Sequence, residues 1–222
     1  MYNDRMPIRS YEIRVCSTCG LRYPLVEGHP FGIRCPVCAG DTRIALKREL
    51  NSETGTGRAP KEGNRQTLAV LLDNIRSAWN VGSILRSADG FGFHHAYLCG
   101  ITPTADHEAV TKTSLGAEDS VTWSYHKDAV KLVEVLKSAG WKVYALEDEA
   151  RAMDLGQAFD LISPAQPGML IVGNEVTGVD PELLDLCDQI FYIPMRGEKK
   201  SFNVAIAFGI AAFALTAQEV HP

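Results

Sequence analysis

From residue 67 onward, short apolar runs alternate with amphipathic stretches. Their periods predict strands over residues 68–72, 96–99, 121–125, 142–146, 169–172 and 190–193, and helices over 81–90, 106–113, 127–138, 181–186 and 204–219. Strands alternating with helices make an α/β domain. Because the strand runs are rich in Val, Ile, Leu and Tyr with little polar interruption, the sheet should be mostly parallel and carry helices on both faces. The final helix is apolar all round, and its unbroken run over 204–217 is 14 residues, short of the ~18 to 20 that span a bilayer. It reads as a buried helix, covered either by the core alone or by a subunit partner as well.

The chain before residue 67 follows another pattern. Extended stretches over 11–15, 21–26 and 42–46 frame two cysteine pairs, Cys16-Ser-Thr-Cys19 and Cys35-Pro-Val-Cys38, fifteen residues apart. Each pair makes a tight knuckle that brings two thiolates to one metal, and Gly20 and Gly40 permit the turns that aim backbone N–H groups at sulfur. This is a zinc-ribbon pattern with Cys16, Cys19, Cys35 and Cys38 as ligands, and a unit this small needs the metal to fold. Two disulfides or a redox CxxC are the alternatives. Cys99 and Cys187 fall in apolar contexts and read as buried thiols. Residues 51–66 combine Gly, Pro, Ser, Thr and charge without apolar periodicity, which makes them a linker. The expected organisation is therefore a ribbon over 1–50, a linker over 51–66 and an α/β domain over 67–222.

Charge sharpens this division. The whole chain carries a formal −5, but residues 1–66 are net +4 and the remainder net −9. The net charge argues against an obligate nucleic-acid coat protein, whereas the first part is suited to hold an anionic partner. Its cations are Arg5, Arg9, Arg14, Arg22, Arg34, Arg43, Lys47, Arg48, Arg58, Lys61 and Arg65, and Tyr2, Tyr11, Tyr23 and Phe31 could stack on bases. Solubility and packing of the ribbon account for the same residues equally well. Residues 1–14 are polar and charged with no apolar segment of signal-peptide type, so a cytoplasmic protein without a membrane anchor is expected.

Familiar nucleotide motifs are missing: there is no GxxxxGK[ST], and Gly90-Phe-Gly92 lacks the third glycine of a dinucleotide fingerprint; the HExxH of zinc hydrolases is missing too. The six histidines show no metal-ligand spacing. What remains are three polar loops after strands. The first runs from Asp73 to Arg86, with Asn80 placed to cap a helix and Arg86 about two turns inside it. The second is Gly173-Asn174-Glu175-Val176-Thr177-Gly178, before Pro181 at a helix start. The third runs from Ile193 to Asn203 and ends at the apolar helix, where Ser201 or Asn203 would cap. Loops at strand ends of an α/β sheet form its usual ligand crevice. Taken singly, each has an ordinary reading: a capping Ser or Asn, a solvated Arg86, a turn carboxylate at Glu175.

Their joint order is distinctive. N-x-G-x-x-x-R, then G-N-E-x-x-G, then I-P-M-x-G-x-x-x-S-x-N resembles the three motifs of the SpoU (TrmH-like) RNA ribose 2′-O-methyltransferases of the SPOUT superfamily, over about residues 68–219. Thr113-Ser-Leu-Gly116-Ala117-Glu118 is similar to the family's central SxGA segment. The third motif usually reads S-L-N-V-S, and this chain has Ser201-Phe202-Asn203-Val204-Ala205.

The resemblance implies S-adenosylmethionine as methyl donor, tRNA or rRNA as substrate, a homodimer and a C-terminal trefoil knot. It implies Gly173, Asn174, Ile193, Met195, Ser201, Phe202 and Asn203 as donor-binding residues. It implies Arg86 as the central catalytic residue, held in place with the nucleotide by Asn80, Glu175, Ser201 and Asn203. A guanidinium stays protonated, so Arg86 suits a phosphate or hydroxyl anchor better than a base. The alternatives are a non-catalytic RNA-binding or ribosome-assembly protein on the same scaffold, and a zinc-ribbon adaptor joined to an unrelated α/β domain.

Overall fold

A computed structural model describes residues 10–26, 29, 33–49, 67–160 and 166–216. The expected linker, the end of the last helix, and Tyr2, Arg5, Arg9, Phe31, Arg58, Lys61 and Arg65 lie outside the described residues. The chain divides into two compact units, Met1–Glu62 and Gly63–Pro222.

In the first unit, β1 (Ser10–Cys16) lies between β2 (Arg22–Val26) and β3 (Thr42–Glu49), antiparallel to both. The β1–β2 turn is the first cysteine knuckle, closed by the Cys16 N–H on Leu21 O at 2.8 Å and the Gly20 N–H on Cys16 O at 3.1 Å. Arg14 is buried, with its charge met by Glu12 at 2.8 Å and Thr42 at 2.9 Å. Apolar burial here is slight: Cys16 and Cys35 are the buried hydrophobic residues among those described, and β3 is exposed along most of its length.

The second unit is built on a seven-stranded sheet in the order β6-β5-β4-β9-β7-β10-β8, every described pairing parallel. These strands are β4 (Leu68–Asp73), β5 (His95–Cys99), β6 (Thr122–His126), β7 (Lys142–Leu146), β8 (Met153–Asp154), β9 (Gly168–Val172) and β10 (Gln189–Tyr192). All residues of β4 and β9 are buried, as their unbroken apolar runs require. Successive strand residues point to opposite faces, so Val70, Leu72, Leu170 and Val172 join one core while Leu71, Met169 and Ile171 join the other. The first core is roofed by α1 (Ala78–Gly90), α2 (Glu108–Ser114), α3 (Ala117–Ser120) and α6 (Val204–Thr216). The second is roofed by α4 (Ala129–Ser138) and α5 (Pro181–Leu186).

The predicted strands and helices all form, with shifted ends. α1 begins three residues early because Ser77, not Asn80, is its cap: the Ser77 hydroxyl accepts the Asn80 N–H. α2 begins two residues late, capped by the His107 ring, and α4 likewise by Asp128. The short α3, β8 and the 3-10 turn over Leu155–Asp160 have too few residues to show a period. Within the described residues, α6 is not covered all round: Ile206 and Phe213 are 56% and 60% exposed. Among the described residues no helix is long and apolar enough to cross a membrane.

Because β4 has β5 on one side and β9 on the other, the strand order reverses there, and the loops after β4 and β9 diverge at one end of the sheet. That is where α/β sheets hold ligands.

Candidate functional site

At this reversal the three polar loops are tied by one series of hydrogen bonds. The second loop folds into a tight hairpin, Asn174 and Gly178 exchanging N–H···O bonds of 3.0 Å, which turns Glu175 toward the start of α1. The Glu175 carboxylate accepts the N–H groups of Arg76 at 2.9 Å and Ser77 at 3.0 Å, and the Asn80 side-chain amide at 2.9 Å. It thus sets a negative charge at the positive end of α1, on backbone donors at and just before the cap. A carboxylate only accepts, so the Asn80 amide must present its NH2 to Glu175 and its oxygen away. That oxygen accepts from Asn203 Nδ2 at 3.0 Å, and Asn203 Oδ1 in turn accepts the Ala205 N–H at 2.9 Å, capping α6. Desolvation alone would raise the Glu175 carboxyl, but the hydrogen bonds from Arg76, its own N–H, Asn80 and Ser77 outweigh it, and the net shift is downward.

Two motif glycines are there for close approach. A Cβ at Gly82 would lie 2.0 Å from Thr113 Oγ1 and 2.5 Å from Val110 O, so α1 could not pack on α2. A Cβ at Gly173 would lie 2.2 Å from the Val179 nitrogen and prevent the second loop from folding back.

Beside this series lies a cavity of about 330 Å³, lined among others by Gly173, Asn174, Ile193, Met195, Ser201, Phe202 and Asn203. The seven residues that the resemblance implies for the donor therefore share one space. Among the described residues, the backbone N–H groups of the cavity-lining Met195, Lys200, Ser201 and Phe202 donate to no protein acceptor. A loop of free donors beside apolar walls from Ile193, Met195 and Phe202 fits a ligand with a flat, acceptor-bearing ring.

Arg86 stands apart. It lies on α1 about 9 Å along the axis from Asn80, is exposed, lines no cavity described here and makes no hydrogen bond or ion pair among the described residues. Of the other residues read as catalytic, Asn80, Glu175 and Asn203 are bonded together, and Ser201 lines the cavity without a hydrogen bond among the described residues.

Several supporting residues escape a reading of the sequence. Asp73, at the end of β4, is buried and accepts from Asn74 Nδ2 at 2.7 Å and the Asp180 N–H at 2.9 Å. Burial pushes its carboxyl up, and the nearby Asp180 adds to this against those hydrogen bonds. Asn74 has a left-handed backbone, φ 55°, and its carbonyl accepts Asn174 Nδ2 at 2.7 Å, locking the first loop to the second. Thr102 accepts the Ile75 N–H and donates to Leu72 O, both at 3.0 Å. Glu147 follows β7 and also lines the cavity. Asn74 next to a strand end was the one visible signal, since Asn tolerates that backbone.

In the first unit, the sulfurs of Cys16, Cys19, Cys35 and Cys38 all lie within 4.8 Å of one another, with Cys16 to Cys38 at 3.5 Å and Cys19 to Cys35 at 3.7 Å. Sulfurs 2.3 Å from a tetrahedral centre would be roughly 3.8 Å apart. The Cys16 thiol is lowered to about 6, chiefly by the Cys19 N–H. Cys38 is pushed up to about 12, its neighbouring sulfurs prevailing over the Gly40 N–H. Four thiolates repel unless a cation joins them, and this set could hold one metal ion.

Comparison with known proteins bears on the second unit. A tRNA (guanosine(18)-2′-O)-methyltransferase of Thermus thermophilus is 31% identical over 153 residues, 69% of this chain and 76% of that one. The 23S rRNA (guanosine(2553)-2′-O)-methyltransferase RlmP of Bacillus subtilis is 30% identical over 146 residues, 66% of this chain and 56% of that one. Among solved structures, an AdoMet-bound rRNA methyltransferase from Sinorhizobium meliloti superposes with a TM-score of 0.64 at 26% identity, covering 71% of this chain and 58% of that one. Residues 67–213, which contain all three loops, their bonded series and the cavity, match the SpoU rRNA Methylase family, and the chain belongs to it.

Proposed function

We propose that this protein transfers a methyl group from S-adenosylmethionine to a ribose 2′-hydroxyl of tRNA or rRNA. The observation that carries this is the bonded series Glu175–Asn80–Asn203 beside a cavity lined by the third loop. When bound, S-adenosylmethionine supplies an electrophilic methyl on a positively charged sulfur. Ile193, Met195 and Phe202 would wall that pocket and exclude water, while Gly173, Asn174, Ser201 and Asn203 complete its polar side. Asn80, fixed between Glu175 and Asn203, would orient the nucleotide. The guanidinium of Arg86, unpaired among the described residues, would grip a phosphate and the ribose oxygen, lowering the hydroxyl's pKa without leaving its protonated form, so that the hydroxyl proton would pass to solvent water. Mapping ribose methylation in RNA from a deletion strain tests this: one site should vanish, and an unchanged map would overturn the reading.

The ribbon over 1–50 would bind one zinc through Cys16, Cys19, Cys35 and Cys38, supported by their sulfur spacing, and would help hold RNA through cations such as Arg43 and Lys47. The linker over 51–66 would join it to the methyltransferase domain over 67–222. A homodimer would cover Ile206, Ile210 and Phe213, which form one exposed stripe on α6; a sedimenting monomer with full activity would remove that idea. A trefoil knot would involve the segment from β9 to α6, supported by the placement of β10 beyond β7 while the following loop returns to bring Asn203 against Asn80. The site of action would be cytoplasmic.

A further inference from the structure

Three carboxylates border the donor cavity, and they are not equivalent. Glu175 is occupied by three donors at the start of α1, and Asp148 is exposed. Glu147 is half-buried, directly after β7, where its N–H is fixed on Phe191 O at 2.9 Å. One of its carboxylate oxygens accepts the Val179 N–H at 3.0 Å; among the described residues the other accepts nothing, and no cation pairs with the group. Lys200 lines the same cavity but makes no ion pair with it. Room for this carboxylate is made by Gly178, where a Cβ would lie 2.5 Å from one Glu147 oxygen and 3.0 Å from the other.

A half-buried carboxylate with one neutral donor is undercompensated, and a positive ligand in the cavity would restore the balance. On the reading of this cavity proposed above, its ligand carries a sulfonium before transfer and a neutral sulfur after it. The ammonium and carboxylate of the amino-acid part are the same in both. Donor and product differ in the methyl group and in the charge that is lost with it. We propose that Glu147 is a specificity-determining residue that reads this charge, so that the pocket favours S-adenosylmethionine over S-adenosylhomocysteine and releases the product once methyl has left.

Binding the charge strongly would not by itself speed the chemistry, since the charge disappears in the transition state; its benefit lies in loading and exchange. Glu147 also braces the second loop through Val179, so a test must separate charge from bracing. Glu147→Gln keeps an acceptor for the Val179 N–H and removes the charge; Glu147→Ala removes both.

The experiment is calorimetric titration of wild type and both variants with S-adenosylmethionine, S-adenosylhomocysteine and an analogue bearing a protonated amine in place of the sulfonium. Wild type should prefer the two charged ligands, and E147Q should lose about tenfold in that preference while melting near the wild-type temperature. Equal weakening of all three ligands in E147Q, or an unchanged preference, would overturn the inference while leaving the donor pocket standing. Wild type binding none of them would instead remove the donor reading itself.

Discussion

The two units of this chain are held together by different physics. In the sheet unit, β4 and β9 are buried along their whole length and feed two apolar cores, one on each face. In the ribbon unit the buried apolar residues among those described are two cysteines, and the largest buried side chain is an arginine paired with Glu12 and Thr42. The sheet unit can stand on the hydrophobic effect, whereas the ribbon has four converging sulfurs where a core would be. Stability in one is spread over many residues and in the other, on the proposed metal reading, concentrated at a point.

The largest expected effect is the removal of that point. Chelation, or Cys16→Ser with Cys35→Ser, should unfold the ribbon outright, since structural zinc sites supply on the order of 10 kcal/mol. Hydrogen exchange should show amide protection lost over β1 to β3 and kept over β4 and β9. Elemental analysis that finds no metal in fresh protein, with the four thiols joined as disulfides, would end the contrast. Next in size, Leu71→Ala in the fully buried β4 should cost about 2–5 kcal/mol in the urea transition of the sheet unit while metal content stays unchanged.

A smaller loss, confined to chemistry, is expected at Arg86. Its side chain bonds to nothing described, so Arg86→Ala should leave stability and donor affinity near wild type while single-turnover transfer at saturating RNA falls about a hundredfold or more. Arg86→Lys should fail nearly as badly, because a point charge cannot reproduce a planar fork. Wild-type rates in both variants would take Arg86 out of the mechanism.

The smallest effect is a pH dependence. Glu175 is held below its ordinary value, so the stability it contributes is fully present above the unfolded carboxyl pKa of about 4.3 and is lost as pH falls through the lower folded value. Glu175 is exposed, so solvent screens the term. Acid titration of the melting temperature should show a slightly shallower slope in Glu175→Gln, and an identical slope would mean the carboxylate's bonds contribute nothing.

The legible parts of the molecule are those in which a residue's neighbours in sequence determine its environment. The runs 68–72 and 169–172 announce buried strands because every side chain there is apolar, and the cysteine pairs announce their convergence because a knuckle is local. The cap of α1 falls one turn before the position the sequence suggests, since both Ser77 and Asn80 suit a helix start and Glu175, from another loop, engages Asn80 in other work. Asp73, Thr102 and Glu147 were invisible for the same reason: each is an ordinary polar residue until the fold sets it against a backbone group far away in sequence. The three loops became interpretable only through their joint order.

The bonds that assemble the crevice span long stretches of chain: Arg76 and Ser77 meet a residue 99 and 98 positions later, and Asn80 meets Asn203 at a separation of 123. Contacts so distant form late, after slow loop closure. During synthesis, the first motif would leave the ribosome and form much of its helix while its partners were still unmade. A chain released before residue 203 would have α1 without its bond to Asn203 and no third loop to complete the cavity. Interrupted translation products should therefore fail to hold the methyl donor, and that competence would be conferred on the nascent protein only near the end of its synthesis.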